Sequence, residues 1–195
     1  MQQELHKGIA TTVAANQKEW RKWLQKNHKT QQSIFLIIYK KNSGIPSVTY
    51  DEAVDEAICF GWIDSKINKR DEHSFYQYFS VRNPKSNWSK VNKLKVERLL
   101  AANKIEEAGL LSIELAKETG TWTALDDVEN LIVPDEMQLL LNKNKTAQTN
   151  WDNFNRSSKR AILEWILNAK TPATKTKRIT LAVLKAAENK KANME

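Results

Sequence analysis

A run of cationic and hydroxyl side chains near the middle of the chain has the clearest chemistry in this sequence. It reads R-N-P-K-S-N-W-S-K-V-N-K, and its cations are Arg82, Lys85, Lys90 and Lys93. Pro84 interrupts one element, and a serine just after it can begin a helix. The first N–H groups of a helix lack internal partners and carry the positive end of its dipole, so cations around them favour an anion. The segment therefore predicts an anion-binding site.

Two interpretations of this segment stay open at the level of sequence. In the first, Ser86 or Ser89 caps the helix beside a bound anion, and the indoles of Trp62 and Trp88 supply a stacking face. In the second, the serines only cap and Trp88 packs in the core. Asp64, beside Ser65 and near Arg82, would be the acid or base of an enzyme, but no base–nucleophile pair is visible. The sequence therefore favours a binding protein, and catalytic residues are not predicted.

Other reactive groups in the sequence lack the spacing of known sites. None of the five glycines forms a phosphate-binding loop, and the three histidines have no metal-ligand or triad spacing. Cys59 is expected to be a small buried apolar residue. Four acidic residues share a helix face, which is expected to face solvent rather than a cation: Asp51, Glu52, Asp55 and Glu56. We therefore predict no metal and no cofactor.

The elements that position the central run follow from local patterns. Asn16 caps a predicted helix through Trp20 and Trp23, and the uninterrupted apolar residues 33–40 predict a strand buried on both faces. Thr49 opens a second helix with a capping-box pattern, and Gly61 ends it in the left-handed conformation. From there the period changes to two, which predicts a hairpin over residues 62–82.

After the hairpin, the sequence reads as helices. Patterns of period 3.6 predict helices from the serine cap to about 103, over 106–119, after Pro134, and over 146–154, 157–170 and 172–186. We therefore predict an α+β fold with a small antiparallel sheet, followed by an all-helical C-terminal part. The expected organisation is a flexible arm over 1–15, an α+β domain over 16–103 and a helical region over 104–195.

Bulk composition bears on location and partners. The chain has 195 residues, one cysteine and a formal net charge of +8, with basic zones at 61–104 and 155–195 and an acidic zone at 105–154. The basic zones could attract anions; alternatively, zones of opposite charge lie against each other, or all of them are solvated faces. No apolar run is long enough for a membrane span, and residues 1–16 lack an apolar signal segment. With its single Cys59, the protein is expected to be cytoplasmic.

Four motifs of the sequence are Y-K-K-N-S-G (39–44), Y-D-E-A-V-D-E-A-I-C-F-G-W-I-D-S (50–65), R-N-P-K-S-N-W-S-K-V-N (82–92) and L-x-W-I-x-x-A-K (163–170). They resemble motifs of the bacterial YdeI/OmpD-associated family, also called bacteriocin-protection proteins. The resemblance implies a YjbR/CyaY-like domain and a link to stress or antimicrobial-peptide resistance. It brings no catalytic residues. The matched polar positions are Tyr50, Asp64, Ser65, Arg82, Ser86, Trp88, Ser89 and Asn92.

These observations together predict a non-enzymatic protein that binds an anionic small molecule or a protein partner. The candidate binding residues are Tyr50, Trp62, Asp64, Ser65, Arg82, Lys85, Ser86, Trp88, Ser89, Asn92 and Lys93. Weak nucleic-acid binding is an alternative, because tryptophans and tyrosines interleave with the basic zones. An enzyme using Asp64 and Arg82 is the second alternative.

Overall fold

The computed structural model describes residues 4–193 and divides into two compact units, Met1–Thr123 and Ala124–Glu195. The first unit contains a sheet and helices, and the second contains helices only. The predicted α+β class followed by an all-helical part is therefore confirmed.

The sheet of the first unit has five strands. They are β1 (Leu5–His6), β2 (Ile9–Val13), β3 (Ser33–Tyr39), β4 (Trp62–Lys69) and β5 (Ser74–Val81), in the order β1-β2-β3-β5-β4. The β4–β5 hairpin is antiparallel as predicted, and so is the β3–β5 pair. β2 and β3 are parallel, so the sheet is mixed rather than wholly antiparallel. A parallel pair needs a crossover connection, which the first helix supplies.

The N-terminal residues differ from the expected flexible arm. Residues 5–13 form β1 and β2, and β2 lies along the outer edge of β3. The side chain of Tyr76 anchors the segment by donating a hydrogen bond to Glu4, which also accepts from Arg70. These partners lie more than 60 residues away in the chain, so no local sequence pattern predicts the contacts. The first three residues of the expected arm lie outside the described residues.

Within the described part of the first unit, residues 4–123, four helices pack together. They are α1 (Gln17–Asn27), α2 (Tyr50–Cys59), α3 (Lys90–Ala101) and α4 (Glu107–Glu118), with a short 3₁₀ turn at Lys41–Ser43. Three begin at side-chain caps, because Asn16, Thr49 and Ser89 each accept a hydrogen bond from a backbone N–H inside the first turn. Thr49 and Glu52 complete the predicted capping box. Gly61 follows α2 with φ of +71°, as expected.

Half of the acidic face of α2 is buried: Asp51 is exposed as expected, but Asp55 and Glu56 contradict the expected exposure to solvent. Asp55 and Glu56 are only 5% and 3% exposed. Asp55 accepts from Lys95 at 2.8 Å and from Arg98 at 2.6 Å, both on α3. Glu56 accepts from Arg21 of α1 at 2.7 Å. Helix periodicity does not reveal these partners, because they belong to other helices; together they fix α1 and α3 against α2.

Two apolar clusters hold the first unit together. The larger lies between one sheet face and the helices and includes Trp20, Leu36, Trp62 and Phe79, all at most 1% exposed. The smaller lies on the other sheet face and includes Phe35, Ile37 and Tyr76. β3 therefore contributes to both faces, as its continuous apolar sequence predicts. α4 belongs to this unit rather than to the C-terminal part, since Ile113 and Ala116 pack in the larger cluster.

The second unit consists of helices around its own core. They are α5 (Asp126–Glu129), α6 (Asp135–Asn142), α7 (Lys145–Asn153), α8 (Arg156–Leu167) and α9 (Pro172–Ala187). Met137, Leu141, Ile179 and Ala186 are fully buried between them. Thr171 caps α9 with proline at its first position, as predicted. Residues 194 and 195 lie outside the described part of the chain. Over residues 4–193, no helix combines the length and apolarity that crossing a bilayer requires.

Candidate anion-binding site

An open cavity of about 360 Å³ lies where the predicted site residues converge. β4 and β5 form one wall, the loop after β5 forms the second, and the start of α3 forms the third. The lining residues are Ile63, Asp64, Ser65, Ser80, Val81, Arg82, Asn83, Ser86, Asn87, Ser89 and Asn92. A cavity of about 470 Å³ at the hairpin turn is larger, but within the described residues none of its charged side chains is buried. Because the larger cavity has no buried charge among the described residues, the smaller cavity is the candidate binding site.

Arg82 is the buried cation of this cavity. Its side chain is 7% exposed, and its Cζ lies 3.7 Å from the centroid of the Trp88 ring. Nη2 donates to the carbonyl of Asn87 at 2.8 Å. Nε and Nη1 are buried and have no hydrogen-bond partner among residues 4–193. Since buried polar groups are nearly always hydrogen-bonded, these two nitrogens mark an unsatisfied donor site.

Burial also weakens the hold of Arg82 on its proton. Desolvation lowers the pKa of its guanidinium to about 10, and the negative charge of Asp64 opposes that fall. The group stays protonated at neutral pH, because even the lowered pKa lies well above 7. The cavity therefore contains a permanent positive charge that has lost its hydrogen bonds to water. An incoming anion would supply hydrogen bonds in their place.

Asp64 supplies the negative charge of the cavity. Its Oδ2 accepts a hydrogen bond from the Tyr50 hydroxyl at 2.7 Å. Desolvation of the hydroxyl and this bond to a carboxylate both raise the pKa of Tyr50, so the phenol stays a donor over the physiological range. A register shift between Asp64 and Ile67 places an extra residue in β4, as in a β-bulge. Bulges re-aim side chains, and the consecutive Asp64 and Ser65 both line the cavity.

The start of α3 completes the site. Ser89 is its cap and accepts from the N–H of Asn92 at 3.3 Å. Of the two serines expected to cap, Ser89 therefore does so, while the Ser86 carbonyl faces Arg82 at 3.5 Å. The ion pairs of Asp55 with Lys95 and Arg98 hold this helix against α2. The first turn of α3, which is the positive end of its dipole, therefore lines the same cavity as Arg82.

Five of the predicted site residues do not line the cavity. Lys85 is exposed on the loop, and Lys93 is half-buried with its Nζ 5.9 Å from the Trp122 ring centroid. Trp62 and Trp88 are 1% and 2% exposed, so neither presents a stacking face to solvent. Of the two interpretations of Trp88, the structure supports core packing. The Trp88 ring also stacks against the guanidinium of Arg82. Tyr50 acts through its hydrogen bond to Asp64.

Sequence reasoning missed the amide side of the cavity. Asn83 and Asn87 line it, and Asn87 supplies the carbonyl that binds Arg82. The Asn-Pro pair at 83–84 predicts a turn, which was the available signal, but the turn alone does not show which carbonyl faces inward. Within residues 4–193, no group of three or more His, Cys, Asp or Glu side chains is arranged to hold a metal ion.

Comparison with known protein families gives two matches. Residues 12–112 match the model described as a domain of unknown function, DUF8412. Residues 130–189 match the model described as Bacteriocin-protection, YdeI or OmpD-Associated. A search of curated proteins and a search of solved structures each find no match.

The two matches divide the motifs between them. The first spans just over half of the 195 residues and includes every residue that lines the cavity. The second covers α6 to α9 and supports the resemblance to bacteriocin-protection proteins. The chain therefore belongs to the DUF8412 family, and residues 130–189 of its helical unit are similar to the family described as Bacteriocin-protection, YdeI or OmpD-Associated.

Proposed function

We propose that this protein binds a small anionic ligand in the cavity beside Arg82, and that binding rather than catalysis is the activity of the site. One observation carries the proposal: Arg82 is buried and charged, while its Nε and Nη1 lack partners among the described residues. An unsatisfied buried donor costs about 1–3 kcal/mol, and more when charged. A bound anion removes that cost.

The remaining cavity groups support binding more than catalysis. Asp64 accepts from Tyr50, and no hydrogen bond joins it to Ser65 in the part of the chain that the structure describes. A nucleophile and a base in contact would be expected of a hydrolase. Nucleic acid fits less well, since Trp62 and Trp88 are buried and the principal cation is recessed.

The direct test observes Arg82 in the unmodified protein. The guanidinium Nε–H of a buried arginine is expected to give a resolved ¹H–¹⁵N signal. We expect titration with propanoate or inorganic phosphate to shift this signal saturably, and Arg82→Lys to weaken binding of the same anion. Arg156→Lys is the matched control, because Arg156 is exposed, belongs to the helical second unit and does not line the cavity. An Arg82 signal unmoved by either anion would refute the proposal.

At the level of the cell, we propose a role in resistance to bacteriocins. The match of residues 130–189 to a family described by that property supports it. A strain lacking the gene is expected to be more sensitive to bacteriocins, and the wild-type gene is expected to restore survival better than the Arg82→Lys gene. Equal sensitivity with and without the gene would rule this role out.

A further inference from the structure

We propose that the ligand of this cavity is a small zwitterion, with a carboxylate bound by Arg82 and a protonated amine bound by Asp64. This inference rests on the proposed function of the site and names the chemical class of its ligand. Four observations lead to it: the charge balance of the lining, the lack of an ion pair between Arg82 and Asp64 among the described residues, the free acceptor on Asp64 and the neutral polar groups around them.

The described residues that line the cavity carry no net charge. Arg82 is their one cation and Asp64 their one carboxylate, while the other polar residues are serines and asparagines. Lys85 and Lys93 are not in the lining. A phosphate dianion would therefore place two negative charges beside Asp64 with a single cation to compensate. A ligand with one charge of each sign matches the lining instead.

The two charges do not neutralise each other directly. Nη2 of Arg82 donates to backbone carbonyls, and its Nε and Nη1 have no partner in the described part of the chain. The Asp64 carboxylate accepts from Tyr50. Arg82 and Asp64 nevertheless line the same cavity. Opposite charges that share a cavity without an ion pair leave room for a ligand that pairs with both.

Asp64 keeps an acceptor for an amine. Oδ2 is bound by the Tyr50 hydroxyl, which fixes the orientation of the carboxylate. Among residues 4–193, Oδ1 has no hydrogen-bond donor, and a carboxylate oxygen accepts an ammonium group readily. Asp64 is half-buried, so this contact would be partly shielded from water.

The neutral lining fits the rest of such a ligand. Ser80, Ser86, Ser89 and Asn92 can each donate or accept, which suits a polar rather than an apolar body. The volume of about 360 Å³ falls within the range of small-molecule sites. Amino acids and similarly small amino carboxylates therefore fit both the charge and the size of the cavity.

Three probes of the same carbon skeleton test the inference: propanoate, alanine and β-alanine. Affinities are measured from the Arg82 Nε–H signal and by calorimetry. We expect at least one of the amino compounds to bind about tenfold more tightly than propanoate, the factor that one charged hydrogen bond supplies. Asp64→Asn is expected to remove this advantage while leaving propanoate binding intact or stronger. Glu97→Gln, which neutralises an exposed carboxylate on α3 outside the cavity, is expected to change neither.

The outcomes separate the two proposals. If propanoate binds but neither amino compound binds more tightly, or if Asp64→Asn preserves the advantage, the zwitterion inference is overturned and the anion site remains. If none of the three probes moves the Arg82 signal, the zwitterion inference is overturned, and the anion site is overturned with it when inorganic phosphate also leaves the signal unmoved. Because the signal comes from the wild-type protein, this result does not depend on the folding of any variant.

Discussion

The guanidinium of Arg82 lies over the indole ring of Trp88, with Cζ 3.7 Å from the ring centroid. Trp88 is itself fixed, because its ring centroid lies 5.1 Å from that of Trp122 and its backbone N–H donates to the Thr121 carbonyl at 3.0 Å. Desolvated cation–π contacts contribute about 2 kcal/mol. The stack therefore holds the cation of the cavity in place before any ligand arrives, which lowers the entropic cost of binding.

Neutralising Asp55 should destabilise the first unit strongly. Asp55→Asn removes the charge that Lys95 and Arg98 share, and Lys95 is 11% exposed. Breaking a buried ion pair costs about 3–5 kcal/mol, because the partner charge is left without compensation. We expect a loss near the lower end, since Arg98 reaches solvent. Chemical denaturation measures the change in the free energy of unfolding.

The matched control for that experiment is Asp51→Asn. Asp51 accepts from the same Lys95 at 2.5 Å, but its side chain is 72% exposed. Exposed pairs contribute at most about 1 kcal/mol, so the control should lie close to wild type. Equal losses in the two variants would show that burial of Asp55 does not carry the effect.

Gly61→Ala should cost more than its backbone conformation alone requires. Gly61 has φ of +71°, and an added Cβ would lie 2.7 Å from the Ala108 carbonyl oxygen on α4. Gly44 provides the comparison, because its φ is +70° and an added Cβ there meets nothing within 4 Å. Gly44→Ala should cost about 1 kcal/mol, the penalty of the left-handed conformation. Thermal unfolding of both variants tests whether α4 packs against the end of α2. A similar loss of stability in the two variants would exclude this contact.

Cys59 should be unreactive in the folded protein. Its side chain is fully buried, and burial, reinforced by the negative charge of Glu56, raises the pKa of the thiol to about 11. Only the thiolate reacts with disulfide reagents, so labelling with a chromogenic disulfide at pH 8 should be slow. Denaturant should release one equivalent of fast-reacting thiol. Rapid stoichiometric labelling without denaturant would contradict this burial.

Tyr50 should make stability depend on pH in the alkaline range. Burial and the hydrogen bond to Asp64 raise its folded-state pKa above the ordinary value of 10.0. The folded protein then holds the phenolic proton more tightly than the unfolded chain does. The resulting stabilisation is complete below pH 10 and is lost as the pH rises through the folded-state pKa.

The comparison of wild type with Tyr50→Phe isolates this effect, because other groups titrate in both proteins. We expect the difference in the free energy of unfolding to shrink above pH 10. Tyrosinate absorbance should show the same group titrating late in the wild type, and Asp64→Asn should bring its titration closer to normal. A stability difference that stays constant from pH 8 to 11 would contradict the raised pKa.

Local signals were sufficient to predict most elements that position the cavity. The capping box of Thr49 and Glu52, the hairpin after Gly61 and the serine cap of α3 each depend on neighbours a few residues apart. Such patterns act within one turn or one strand pair, and they are visible in a single sequence. The convergence of Asp64, Arg82 and Ser89 on one cavity follows from them.

Features that depend on distant partners could not be predicted in the same way. Asp55 was expected on a solvent-exposed face, because helix periodicity shows which face a residue occupies but not which other element covers that face. Its partners Lys95 and Arg98 lie 40 and 43 residues further along the chain. Burial of Arg82 depends likewise on the packing of Trp88 against Trp122. The strands β1 and β2 span only two and five residues, too few for a periodic pattern, and their place in the sheet depends on the pairing of β2 with the edge of β3.

That edge has a practical consequence. β2 pairs with one hydrogen-bonding edge of β3, and β5 pairs with the other. The sequence of β3, S-I-F-L-I-I-Y, is almost entirely apolar and favours a strand. A chain shortened to begin at Asn16 would leave this strand with unpaired N–H and C=O groups, which is the state from which intermolecular cross-β pairing starts. Truncations that remove the first fifteen residues should therefore yield insoluble fibrils or inclusion bodies rather than a smaller folded domain.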